Sequence, residues 1–165
     1  MKDPGIELQT KYASLLSDIT YGGVSVPFYD VVPLEAEYPH IKVGERTLLD
    51  TSNKTSFTME VTLGLRVIDR FPANYGSRTS VYSISGDIKE RIRKITNRMK
   101  LTNFNVVTSR VDNETMIEEL TDTYFYFRNE IRFRHIIEDV GRGYLTYNGD
   151  DILYNGDKIA FKRYA

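Results

Sequence analysis

The sequence predicts an α+β fold: a mostly antiparallel sheet of about four or five strands, two helices packed on it, and a small C-terminal β-meander. Three observations lead there. Residues 57–67 and 124–137 alternate apolar and polar side chains with the two-residue period of half-buried strands. Residues 8–19 and 81–99 instead place apolar side chains at helical steps of three and four. Asn148-Gly149 and Asn155-Gly156 are hairpin signals, because both central positions of a type I′ turn need positive φ.

Taken in order, Asp3-Pro4 opens the first helix, an N-cap acid followed by proline at the first helical position. Leu8, Tyr12, Leu15, Leu16 and Ile19 carry its apolar stripe as far as Gly22-Gly23. Pro27, Pro33 and Pro39 punctuate the next stretch and leave short extended pieces at 28–32 and 40–45, with Ile41 and Val43 on one face. "DTSNKTS" turns the chain into a long strand: Phe57, Met59, Val61, Leu63, Leu65 and Val67 face the core, while Thr58, Glu60, Thr62, Gly64 and Arg66 face water. At about ten residues or more it exceeds the usual five or six, so it is expected to extend into an arm or a subunit contact. Pro72 and "ANYGS" end it, and Val81, Ile84, Ile88, Ile92, Ile95 and Met99 mark a second helix packed on the sheet.

Two further strands are expected, at 104–111 and 124–137. In the second, Phe125, Phe127, Ile131 and Phe133 share one face, and Tyr126, Arg128, Glu130, Arg132 and Arg134 the other, which makes it the natural neighbour of the first long strand. Between them "DNETMIEELTD", residues 112–122, has five acids and no base and reads as an exposed loop or a short irregular helix. The apolar core pattern is complete by Ile137, and Gly141 and Gly143 make a flexible junction. The chain therefore divides into an α+β domain, 1–140, and an appendage, 141–165. Leu145, Tyr147, Ile152, Tyr154, Ile159 and Phe161 give the appendage the apolar and aromatic side chains of a docking element.

The 165 residues suffice for one domain that buries about two thirds of its unfolded surface. With no cysteine, disulfides and thiolate metal sites are excluded, in keeping with synthesis in a reducing cytoplasm. "MKDPGIELQTKY" lacks the apolar core of a signal peptide and no apolar run approaches the roughly eighteen residues of a membrane span, so a soluble protein without a membrane partner is expected. The net charge of −1 conceals a pattern: residues 1–53 hold 4 basic and 8 acidic side chains, 54–111 hold 11 and 4, and 112–165 hold 7 and 11. Such segregation either offers complementary surfaces to a head-to-tail contact between copies or is evened out by folding.

Nothing in the chain assembles a catalytic motif. His40 and His135, each in a predicted strand with no nucleophile motif beside it, read as surface or rim histidines, and the paired acids Glu118-Glu119 and Asp150-Asp151 sit in polar segments where ordinary ionised carboxylates are expected. Gly22-Gly23 and Gly141-Arg142-Gly143 lack the pattern of a phosphate loop, and the repeated "YNGD" lacks the spacing and bidentate glutamate of a calcium loop. No cofactor or metal is expected. The basic run "KERIRKITNRMK" contains the internal pairs Asp87–Arg91 and Glu90–Lys94 at i,i+4. Its acidic flanks argue against sequence-specific nucleic-acid binding. Lys89, Arg93 and Arg98 are then the expected contacts to a neighbouring subunit, with Glu118 and Glu119 as their acidic partners.

The stretches "YDVVPLEAEYPHIKVGE", "TSFTMEVTLGLRVIDR" and "SVYSISGDIKERI", in this order, resemble the tail-completion proteins of tailed bacteriophages, also called tail terminators or head-tail joining proteins. That family pattern is an opening helix, a "V-Y-x-x-V-P" type turn, a proline before a short apolar strand ending near Gly-Glu, a polar loop, a long alternating strand and an apolar-striped helix. Asp30-Val31-Val32-Pro33, Pro39 to Glu45 and Phe57 to Asp69 occupy those places, and the resemblance runs over 6–137, leaving 138–165 unmatched. It implies a non-enzymatic virion subunit of the tail-neck region, forming a homo-oligomeric ring, commonly hexameric, at the head-proximal end of the tail. Its partners would be the tail tube and the head connector, and DNA would pass through the ring. Two alternatives are a neck adaptor ring nearer the portal and a small α+β enzyme or ligand-binding domain built on His40, His135 and loop acids.

Overall fold

The computed structural model describes residues 3–52, 57–95, 99 and 101–139, and the backbone of 152–154 and 157–159. Helices α1 (Gly5–Leu16) and α2 (Thr79–Ile95) pack on a sheet of β3 (Phe28–Tyr29), β4 (His40–Asp50), β5 (Thr58–Pro72), β6 (Phe104–Leu120) and β7 (Tyr124–Asp139). The strand order is β3-β4-β5-β7-β6, antiparallel throughout except for β3 beside β4. Two small hairpins stand apart from it, β1 (Thr20–Tyr21) with β2 (Val24–Ser25), and β8 (Ile152–Tyr154) with β9 (Asp157–Ile159). The fold is α+β, as the sequence predicts.

The Asp3 carboxylate accepts from the Gly5 amide at 2.7 Å, and the Pro4 carbonyl receives the first helical bond from the Leu8 amide. The helix stops at Leu16, earlier than its apolar spacing predicts, yet Ile19 beyond it is still buried. Gly22 and Gly23 act differently from helix terminators: with φ of 60° and 81° they form the two-residue turn between β1 and β2.

The long strands β5 and β7 pair without interruption from Thr58↔Glu138 to Pro72↔Tyr124. Their inward residues Met59, Val61, Leu63, Leu65, Val67, Ile131, Phe133 and Ile137 meet Val81, Ile84, Ile88 and Ile92 of α2 and Leu8, Tyr12 and Leu16 of α1 in one core. The second helix thus packs through the predicted stripe as far as partly buried Ile95, where it ends; Met99, expected in the helix, is buried outside it.

Three expectations are corrected. The extended pieces at 28–32 and 40–45 are a two-residue β3 and an eleven-residue β4. A bulge between Val43 and Arg46 swings Arg46 to the helix face, where it pairs with Asp3 at 2.8 Å. At that bulge a Cβ on Gly44 would lie 3.2 Å from the Gly64 carbonyl oxygen, so the backbones of β4 and β5 approach where neither carries a side chain. The acidic segment 112–122, expected to be a loop or irregular helix, is strand as far as Leu120, and β6 is 17 residues long instead of eight or so. Pairing along β7 outweighs its poor strand propensity, because its acids find cations on both sides. Glu114 meets Lys89, Glu118 meets Arg78, Glu119 meets Arg128 and Asp112 meets Arg134.

Candidate functional site

The sheet has two unlike faces. Toward the helices it is apolar, with one polar seam: Asn129 of β7 donates to Ser85 of α2 and to Glu114 of β6, both at 2.8 Å, and Lys89 reaches the same Glu114 at 2.8 Å. Partial burial of Glu114 opposes its ionisation, but the bonds from Lys89 and Asn129 outweigh it and hold the carboxyl below its ordinary range. Asp69, also buried, accepts from the Ser80 hydroxyl at the start of α2 and fixes that helix end to β5.

Among the described residues the other face carries no helix, and it is half exposed. Arg66 pairs with Glu130 directly across the strands at 3.2 Å, and Arg134 reaches Glu60 at 3.6 Å and Asp112 at 2.8 Å. Beside this charged ladder lies a loop, residues 30–39, that climbs from β3 to β4. Its base is held firmly: the ring of Tyr38 packs on His40 and Tyr126, the guanidinium of Arg70 lies 4.5 Å from the Tyr38 ring, and Nδ1 of His40 donates to the Glu37 carbonyl at 2.8 Å. The peptide between Tyr38 and Pro39 is cis. At the tip, the Ala36 amide bonds to the Pro33 carbonyl at 3.2 Å, a turn that leaves Leu34 102% exposed and Val31 81% exposed.

Between α2 and β6, on the helix face, runs an open cleft of about 510 Å³. Buried Ile92 and Phe133 form its floor and Lys89, Glu90, Arg93 and half-exposed Val111 its walls, while Arg110 borders it from a position opposite Arg134 on the open face.

Four cations of the basic middle, Arg66, Arg78, Lys89 and Arg91, pair with acids of the flanks of the same chain. Arg91 does not pair with Asp87 as expected; it bonds to Asp18 and to the Leu15 carbonyl, tying α2 to the segment after α1, and it holds the Asp18 carboxyl below its ordinary range. Glu90–Lys94 is formed as predicted, at 2.6 Å. Of the residues expected at a subunit contact, Lys89 is tied to Glu114, Glu118 to Arg78 and Glu119 to Arg128, and the two glutamates point to opposite faces because they are consecutive in a strand. Arg93 is exposed and makes no ion pair among the described residues, and Arg98 lies outside them. In the appendage, Leu145, Tyr147 and Phe161 lie outside the described residues, while Ile152 and Tyr154 in β8 and Ile159 in β9 are seen as paired backbone.

Both histidines are buried, contrary to the expectation of surface positions. They do not converge: His40 is opposite Ile68 on the open face, whereas His135 lies among the core residues against Tyr12. Burial pushes the His135 imidazole down to about 4, so it is neutral at physiological pH, and burial lowers His40 also. Among the described residues no cluster of three histidines or carboxylates is placed to hold a metal, and no helix is long and apolar enough to cross a membrane. The exposed tip of the 30–39 loop, a spur at 30–37, and the cleft are not evident in the sequence, for different reasons. "VVPLE" carried a detectable signal, apolar residues inside a proline turn, but the cleft exists only once β6 passes beside α2.

No family model and no curated protein matches the sequence. Among solved structures, a chain of the "Virion of native gene transfer agent (GTA) particle" is similar in fold, with a TM-score of 0.56 and 16% sequence identity over 77% of this chain and 84% of that one.

Proposed function

We propose that this protein is a structural virion subunit, a tail-completion or head-tail joining protein that forms a homo-oligomeric ring, hexameric by the family it resembles, at the head-proximal end of a phage tail. The observation that carries the reading is the likeness in fold to a chain of a gene transfer agent virion, which extends over 84% of that chain. The motif order at 30–45, 57–69 and 80–92 supports it independently. The fold also suits the role: a β5–β7–β6 platform gives a rigid wall, and its open face presents charge to a neighbour or to passing DNA. In this reading no catalysis is required, and the partners are further copies of the chain, the tail tube and the head connector.

The test is direct. Purified protein, alone and mixed with tails lacking the subunit, is imaged by negative stain and weighed by native mass spectrometry. Rings of several 19.1 kDa protomers, seated at one end of the tails, are expected. A protein that remains a monomer and never decorates tails would overturn the proposal.

A further inference from the structure

We propose that the spur at 30–37 of one copy seats Leu34 in the cleft between α2 and β6 of a second copy, and that this is the contact repeated around the ring. The inference rests on the ring reading above and supplies its interface. It starts from two features, an exposed turn and an open cleft, that match each other in apolar surface and charge. Leu34 stands at a turn tip, wholly exposed, with Val31 beside it, and Asp30, Glu35 and Glu37 surround the pair with negative charge. The cleft is the reverse: accessible Val111 over the buried floor of Ile92 and Phe133 is apolar, and Lys89 and Arg93 stand beside it. Lys89 is engaged by Glu114, and the one acid lining the cleft, Glu90, is engaged by Lys94. Arg93, which makes no ion pair among the described residues, is therefore the cation free to meet a neighbour's carboxylates.

Geometry makes the contact intermolecular. The spur's base is packed on the open face through Tyr38 and Tyr126, whereas the cleft lies on the helix face. A chain cannot fold its own tip through the sheet, but the next chain can offer it. Two different surfaces then meet, a heterologous contact that propagates from copy to copy and closes when the rotation permits. The anchoring of Tyr38 by Arg70 and His40 holds the spur in shape before docking, which lessens the ordering cost of association. A bare leucine rimmed by charge is also the composition of an interface core with a polar margin.

The absence of native cysteine makes disulfide trapping a clean test. Full-length Leu34→Cys and Val111→Cys proteins, both altered at exposed positions, are mixed at equal concentration and oxidised gently. Leu34→Cys mixed with Ile6→Cys, equally accessible on α1 at 73% exposure, is the collision control. The first mixture should cross-link at least about tenfold faster than the control, because docking raises the local thiol concentration. Adding Arg93→Glu to the cleft copy should slow it, and adding Glu35→Arg to the spur copy should restore part of the rate. Cross-linking no faster than the control, or indifferent to Arg93→Glu, overturns the contact. So does a fast cross-link that appears only in chains truncated after Asp139, which would mean that the chain's own C-terminal segment occupies the cleft. In a chain carrying both cysteines, a ladder that stops short of a closed ring would keep the contact and overturn the ring; rings in stain without the specific cross-link would do the opposite.

Discussion

The hydroxyl of Tyr12, on α1, lies 3.0 Å from Nε2 of His135, on β7, across 123 residues of sequence, and both side chains are wholly buried. Their rings meet edge to face, 5.6 Å apart at 85°. Burial raises the Tyr12 phenol far above its ordinary value and lowers the His135 imidazole, so both groups are neutral in the fold, and the pair holds α1 to the sheet with a bond water does not reach.

That pair makes stability depend on pH. The folded-state value of His135, about 4, is below its unfolded value of about 6.5, so below pH 6.5 the unfolded chain binds more protons and stability falls with pH. The increment is complete above pH 6.5 and is lost progressively toward pH 4. Between pH 7.5 and 5 the loss from this site should be about 2 kcal/mol in urea unfolding. The Tyr12→Phe/His135→Leu protein, which removes both polar groups together, should lose most of that slope and keep only the part due to His40. An unchanged slope would mean that His135 already titrates normally in the fold.

Ile92 is 1% exposed between α2 and the sheet. Ile92→Asp places an unpaired carboxylate there, a penalty of several kcal/mol against a total stability of roughly 5–15 kcal/mol, and should abolish folding. Circular dichroism checks this: a folded, soluble Ile92→Asp protein would place the helix stripe outward.

Gly64 is mid-strand in β5, where intrinsic propensity favours valine. A Cβ there would nevertheless lie 3.3 Å from the Glu45 carbonyl oxygen of β4. Gly64→Val should therefore destabilise by about 1–3 kcal/mol, as overpacking does, and thermal melting should show it. A rise in melting temperature would mean that β4 yields at the bulge.

The Asp139 amide donates to the Phe57 carbonyl at 3.0 Å, the last bond of the five-stranded sheet among the described residues. We propose that residues 141–165 are a docking appendage, so a chain ended after Asp139 should unfold cooperatively close to the intact protein while losing attachment to the tail or the neighbouring ring. A fall in melting temperature beyond about 10 °C, more than the roughly 4–8 °C that 1 kcal/mol produces in a smaller domain, would make the segment part of the core.

What the sequence by itself determined is what local periodicity encodes: the α2 stripe through Val81, Ile84, Ile88 and Ile92, the inward face of β5, and the neighbouring of β5 and β7, since a period of two or of 3.6 fixes which side chains share a face whatever lies beyond it. Tertiary structure decided the rest. Residues 112–120 became strand because β7 offered a ladder and Lys89, Arg78, Arg128 and Arg134 offered charge, partners that no local window contains. Glu118 and Glu119, adjacent in sequence, were sent to opposite faces by that same pairing. His135 became a core residue because Tyr12 arrived from 123 residues away, and Leu34 was left bare while a cationic cleft opened between α2 and β6. Periodicity assigns faces; only the packed elements bring together groups far apart in sequence, because burial and charge neutralisation are summed over space and not along the chain.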